Sequence, residues 1–217
     1  MAYSPLIKIC GIRTPETLEA AIAAGADMVG FVHFPKSPRH LSIEEIGDLV
    51  SQARGRAEAV VLAVNPDNSL IAEIAALDPD WLQLHGSESP QRVAAIRAEG
   101  GVPVLKAIGI GSAADVAVMG EFDEVADRLL VDAKPPKIAD RPGGLGLAFD
   151  WSLLKALDPE MEFMLSGGLS PDNVAEAVRM IRPFGLDVSS GVESAPGIKD
   201  AGLIAAFVAA ARGAVAA

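Results

Sequence analysis

Lys8-Ile9-Cys10-Gly11 closes an apolar run with the chain's only cysteine and opens into Ile12-Arg13-Thr14-Pro15-Glu16. Lys8 stands two residues before Cys10, which on an extended strand puts both side chains on one face. A cation there favours the thiolate, the basic and nucleophilic form of cysteine. A second candidate, Asp132, ends the apolar run Leu129-Leu130-Val131. A thiolate and a carboxyl facing one pocket can divide the work of base and acid. Each also has a plainer reading. Free cysteine is among the most buried residue types, and Asp132 can serve as a structural partner for Lys8 or Lys106.

Other residues join these two. Arg39, in Pro35-Lys36-Ser37-Pro38-Arg39, follows a short apolar strand; its guanidinium can hold a carboxylate bidentately or sit solvated in a loop. His85, in Leu82-Gln83-Leu84-His85-Gly86, is a candidate pocket residue or an interior hydrogen-bonding group. Three glycine loops come late in the chain: Gly143-Gly144-Leu145-Gly146, Ser166-Gly167-Gly168-Leu169 and Ser189-Ser190-Gly191-Val192-Glu193. Glycine lets backbone N–H groups approach an oxyanion closely, though paired glycines are also ordinary turn residues. His33, His40 and Trp81 suggest no role.

Positioning these residues requires a particular set of elements. Short apolar strands are expected near 6–10, 28–32, 59–64, 80–84, 103–107, 128–132, 162–166 and 185–189. Amphipathic helices are expected near 14–24, 42–53, 67–77, 88–99, 112–119, 151–157, 170–181 and 199–212. Thr14-Pro15-Glu16 and Ser170-Pro171-Asp172 read as helix starts, with Pro just inside the first turn. Eight alternating units imply a parallel sheet closed into a single-domain (β/α)8 TIM barrel over 1–217, ahead of an open doubly wound sheet. Active sites of such barrels lie at the C-terminal ends of the strands, with phosphate commonly held by the loops after strands seven and eight.

Strand alternation then sorts side chains into two faces. Ile7 and Ile9 oppose Lys8 and Cys10; Leu82 and Leu84 oppose Trp81, Gln83 and His85; Leu105 opposes Lys106; Leu129 and Val131 oppose Leu130 and Asp132; Val188 opposes Asp187 and Ser189. If apolar faces meet the helices, Lys8, Cys10, Lys106, Asp132 and Asp187 converge inside the barrel. Buried charges are costly unless paired, so that convergence points to a site.

Composition narrows the function classes. The chain has 217 residues, 50% hydrophobic and 5% aromatic, with net charge −11. That balance disfavours nonspecific binding to nucleic acid or anionic membrane, so any phosphate must be held by local groups. No apolar run approaches the ~20 residues needed to span a bilayer. The start of the chain lacks the basic and apolar regions of a secretion signal, and one cysteine suits a reducing cytoplasm. Cys10, His33, His40 and His85 show no metal-ligand spacing, so no metal is expected.

An ordered set of motifs resembles the phosphoribosylanthranilate isomerase family across nearly the whole chain. It runs through Lys8-Ile9-Cys10-Gly11-Ile12, Gly25-Ala26-Asp27, Gly30-Phe31-Val32, Ser37-Pro38-Arg39, Leu82-Gln83-Leu84-His85-Gly86 and Val131-Asp132-Ala133. It continues with Gly143-Gly144 and Gly146, Phe149-Asp150-Trp151, Leu165-Ser166-Gly167-Gly168-Leu169, Pro171-Asp172-Asn173-Val174, Asp187-Val188-Ser189-Ser190-Gly191-Val192-Glu193, and Gly197 with Lys199-Asp200. The resemblance implies a cofactor-free Amadori rearrangement of N-(5-phosphoribosyl)anthranilate in tryptophan biosynthesis. It implies Asp132 as general acid, Cys10 as general base, and Arg39, Asp187 and His85 as substrate-binding residues. It further implies a sugar-phosphate ligand resting on Gly167, Gly168, Ser190 and Gly191, and a monomeric or homodimeric protein. Leu145, Leu147 and Ala148 depart from a loop that is often polar in the family. His33 and His40 stand where aromatics are commoner, a difference expected to bear on how the aryl ring packs. Two rivals remain. A histidine-pathway aminoaldose isomerase would use a pair of aspartates, against Cys10, and a non-catalytic sugar-phosphate binder would lose the acid–base pair.

Overall fold

The computed structural model describes residues 3–134, 149–157 and 161–215. Eight parallel strands close into a barrel in sequence order: β1 (Leu6–Cys10), β2 (Met28–His33), β3 (Glu58–Ala63), β4 (Trp81–Leu84), β5 (Val104–Ile110), β6 (Arg128–Ala133), β7 (Phe163–Leu165) and β8 (Gly185–Val188). Helices α1 (Pro15–Ala24), α2 (Ile43–Ala53), α3 (Asn68–Ala75), α4 (Pro90–Glu99) and α5 (Ala113–Asp123) follow the first five strands in turn. A short 3₁₀ turn, Trp151–Ala156, stands where the sequence suggests a full sixth helix. Helices α6 (Val174–Ile181) and α7 (Ala201–Gly213) complete the ring. Between β8 and α7, β9 (Glu193–Ala195) and β10 (Ile198–Lys199) form a small antiparallel hairpin.

Local sequence explains the helix boundaries. Thr14 caps α1 by accepting from the Thr17 N–H, Pro15 fills the first turn, and Gly25 stops the helix at φ 91°. Ser42 and Glu45 form a reciprocal capping box at α2. Ser170 does not start α6. Its N–H donates to Asn173 Oδ1 (2.8 Å), Asn173 Nδ2 donates to the Gly168 carbonyl (2.9 Å), and the helix begins only at Val174.

The outward strand faces meet the helices through Ile7, Ile9, Val29, Phe31, Leu82, Leu84, Leu129, Val131, Leu186 and Val188. Each such side chain contributes about 1.5–3 kcal/mol on full burial. Inside the barrel, Met28, Val60, Leu105, Ala107, Leu130 and Met164 form an apolar plug. Layered filling of this kind makes the barrel centre a packed core and leaves chemistry to its upper rim. One face assignment is overturned here. Leu105 and Ala107 point inward, so Lys106 points out, where its Nζ lies 2.6 Å from Glu88 Oε2 and 5.7 Å from the centre of the Phe122 ring. The plug needs apolar volume at β5, and a buried carboxylate outside the barrel compensates the lysine.

Candidate active site

Cys10, at the C-terminal end of β1, faces the barrel mouth among Val32 and Leu62. Register pairs it with Gly30 of β2, where a Cβ would lie 2.9 Å from Cys10 Sγ and 3.1 Å from Lys8 Cε. A glycine is needed there for the thiol and the lysine to coexist. Lys8 is fully buried one layer below. Its Nζ donates to Asp187 Oδ1 (2.8 Å) and to Gln83 Oε1 (2.6 Å). Asp187 is the register partner of Lys8 across the β1–β8 seam, and its Oδ2 accepts from Ser166 Oγ (3.0 Å).

This pairing alters the electrostatics expected for Cys10. Burial pushes the thiol up; Lys8, Lys199 and Arg39 pull it down, Asp187 adds to the rise, and the net shift is upward. The neighbouring lysine therefore does not by itself produce a thiolate, because its charge is already matched by Asp187. Lys8 itself titrates above the usual lysine range: its desolvation is outweighed by Asp187 and then Cys10.

Asp132 is buried at the end of β6, two residues after the inward-facing Leu130 and so on the interior face. Its Oδ1 accepts from the Ala133 N–H (2.8 Å) and its Oδ2 lies 3.3 Å from His85 Nε2. His85 Nδ1 meets Gln83 Nε2 at 2.9 Å. Asp132 thus pairs with neither Lys8 nor Lys106. Gln83 is one link that sequence reasoning left without a role, although its interior face was legible. Gly167 lets the loop after β7 close over this carboxyl. Its φ is +84°, and a Cβ there would lie 2.5 Å from the Ala133 nitrogen and 3.1 Å from Asp132 Oδ1.

Arg39 is neither solvated nor an open clamp. Its Nε and Nη2 donate to Glu193 Oε1 (2.7 Å) and Oε2 (2.8 Å), a bidentate pair inside the protein. Lys199 Nζ joins the same carboxylate at 2.7 Å and donates to the Ser189 carbonyl at 2.9 Å. Burial opposes ionisation of Glu193, yet Arg39 and Lys199 hold its carboxyl below the usual range. Gly11 makes room for Arg39: a Cβ there, at φ +81°, would lie 2.5 Å from Arg39 Cδ. Glu193 and Lys199 sit in recognised motifs, but nothing in their spacing announces a partner 154 positions away.

The loops after β7 and β8 lean on each other. A Cβ on Gly191 would lie 1.9 Å from the Leu169 carbonyl oxygen, and Gly168 adopts φ +67°. The loops carrying Gly167 and Gly168 and Ser190 and Gly191 are thereby brought side by side at the C-terminal ends of β7 and β8. The Gly143–Ala148 loop lies outside the described residues. His33 lies on the outward face of β2, after Phe31, and its Nδ1 is 3.0 Å from the Leu41 carbonyl. Its ring centre is 5.1 Å from that of His40. His33 thus lies on the helix side of β2, with His40 beside it. Among the described residues no cluster of His, Cys, Asp and Glu could hold a metal.

Fold and rim define the class: a (β/α)8-barrel enzyme with its polar side chains at the C-terminal strand ends. The sequence matches the family described as N-(5'phosphoribosyl)anthranilate (PRA) isomerase over residues 7–210, and the chain belongs to that family. It is 55% identical over 210 residues to the N-(5'-phosphoribosyl)anthranilate isomerase of Rhodopseudomonas palustris (strain BisB5), covering 96% of each chain. Among solved structures it is similar to phosphoribosyl anthranilate isomerase from Thermotoga maritima, with TM-score 0.86, 36% identity, and 96% and 99% of the two chains covered. It is also similar to a phosphoribosyl anthranilate isomerase in complex with reduced 1-(o-carboxyphenylamino)-1-deoxyribulose 5-phosphate, with TM-score 0.84, 33% identity and the same coverage. No helix among the described residues is long and apolar enough to cross a membrane.

Proposed function

We propose that this isomerase of tryptophan biosynthesis works through Asp132 as general acid and Cys10 as general base. The substrate is N-(5'-phosphoribosyl)anthranilate and the product 1-(2-carboxyphenylamino)-1-deoxyribulose 5-phosphate. The carboxyl of Asp132 protonates the furanose ring oxygen as its bond to C1' breaks, opening the sugar to a Schiff base. The thiolate of Cys10 then removes the C2' proton, giving an enolamine. Its tautomerisation returns a proton to C1' and leaves the C2' ketone, so atoms balance without an external oxidant or reductant.

The observation that carries this reading is the shared location of the two groups. Cys10 ends β1, Asp132 is the penultimate residue of β6, and both lie on interior strand faces above the apolar plug. Support for phosphate binding comes from the left-handed glycines Gly167 and Gly168 beside Ser190 and Gly191. Arg39, its fork engaged by Glu193, supplies positive potential near the anthranilate carboxylate rather than a two-point clamp. Asp187 and His85 position the substrate at the Cys10 and Asp132 ends of the mouth. The cationic Schiff base formed by ring opening stabilises the thiolate electrostatically, offsetting the burial that holds the thiol protonated.

The direct test is consumption of fluorescent phosphoribosylanthranilate by the purified chain without added metal or cofactor. Turnover with wild-type protein, lost in Cys10→Ala and in Asp132→Asn, supports the assignment; turnover kept by either variant removes its residue from the role.

A further inference from the structure

We propose that Gln83 is a positioning residue: it locks His85 as the neutral Nε2–H tautomer, which leaves the Asp132 proton one outlet, the pocket. This rests on Asp132 being the general acid. Gln83 is fully buried on the interior face of β4. Its Oε1 accepts from Lys8 Nζ at 2.6 Å. An ammonium can only donate, so the amide cannot be turned the other way. The amide nitrogen therefore faces His85 Nδ1, 2.9 Å away. That nitrogen can only donate as well, so Nδ1 must be an acceptor and carries no proton. The neutral imidazole then holds its proton on Nε2, which faces Asp132 Oδ2 at 3.3 Å.

The sense of this chain begins at Lys8, which Asp187 Oδ1 holds at 2.8 Å, and runs in one direction through Gln83 and His85 to Asp132. Two consequences follow for the acid. A proton leaving Asp132 toward His85 would meet a nitrogen that already bears hydrogen. A second proton on Nδ1 would confront the Gln83 amide donor. The imidazole is thus closed as a proton sink on both sides. The carboxyl, with the Ala133 N–H on Oδ1 and His85 Nε2 3.3 Å from Oδ2, can deliver its proton only to what enters the mouth. The charged groups on this chain are Asp132 of β6, Lys8 of β1 and Asp187 of β8.

The test is ¹H–¹⁵N multiple-bond correlation on full-length protein labelled at its three histidines, with His85→Gln assigning the signal. In the wild type at about pH 9, His85 gives the Nε2–H pattern. Gln83→Glu replaces the donor by an acceptor. His85 then gains a proton on Nδ1, and kcat falls about tenfold, a fraction of the ~10²–10⁴-fold a general acid supplies, while KM stays within about twofold. A wild-type His85 that is cationic or carries its proton on Nδ1 overturns the proposal without recourse to any variant. So does Gln83→Glu with unchanged tautomer and turnover. Full turnover by Asp132→Asn overturns the acid assignment instead, and this proposal with it, even if the Nε2–H signal is found.

Discussion

Lys8 Nζ lies 2.8 Å from Asp187 Oδ1, with both side chains buried and directly paired in register where β8 meets β1. This contact spans the seam where the β1–β8 ladder closes the barrel, and it sets the charge beneath Cys10. Removing one partner of a buried pair strands the other, which costs about 3–5 kcal/mol. Asp187→Asn should therefore lose stability on that scale in urea unfolding. It should also let the Cys10 thiol ionise at lower pH, because Asp187 raises it while Lys8 lowers it. Unchanged thiol titration in a folded Asp187→Asn protein would contradict the electrostatic link.

The pH dependence of turnover has a defined sign. Cys10 must be deprotonated to act as base, and burial shifts its titration upward. kcat/KM for the free enzyme should rise with pH through a range above that of an ordinary thiol. Thiolate absorbance near 240 nm should grow over the same range and vanish in Cys10→Ala. A fully formed thiolate in the free enzyme at neutral pH would refute this.

Arg39 and Glu193 form a two-point contact that a lysine cannot reproduce. Arg39→Lys should weaken the tie by about 1.5–3 kcal/mol, the range for a hydrogen bond to a charged group. KM for the carboxylated substrate should rise more than kcat falls. Steady-state kinetics beside thermal unfolding separate the two effects, and an unchanged KM would remove Arg39 from substrate recognition.

Two glycines should respond oppositely to alanine. At Gly167 a Cβ collides with the Ala133 nitrogen and φ is +84°, so Gly167→Ala should lower both stability and turnover, by at least about 1 kcal/mol in stability. Gly120, inside α5, has nothing within 4 Å of an added Cβ. Gly120→Ala should stabilise by about 0.4–1 kcal/mol with activity unchanged. Calorimetric melting of both variants checks the contrast.

Strand alternation made most of the barrel legible, because a period of two separates Ile7 and Ile9 from Lys8 and Cys10, and Leu129 and Val131 from Asp132. It failed at Lys106. A lone lysine in an apolar strand does not reveal its face, and the compensating Glu88 lies in a loop with no periodicity. Ser170-Pro171 reads as a helix cap, yet the Asn173 side chain takes the Ser170 N–H and delays α6. Among the site residues, Cys10, Asp132 and Asp187 were placed by alternation. The Arg39–Glu193 pair and the Lys8–Gln83–His85–Asp132 chain join residues from distant strands and loops, so only the closed fold brings them into view.

The central claim is the division of acid and base between Asp132 and Cys10. Its most direct test is the single-turnover rate of phosphoribosylanthranilate isomerisation by wild-type, Cys10→Ala and Asp132→Asn proteins of matched circular dichroism. Each variant should be slower by about 10²–10⁴-fold, the range for a lost general acid or base. A rate within about twofold of wild type for either variant would contradict the assignment.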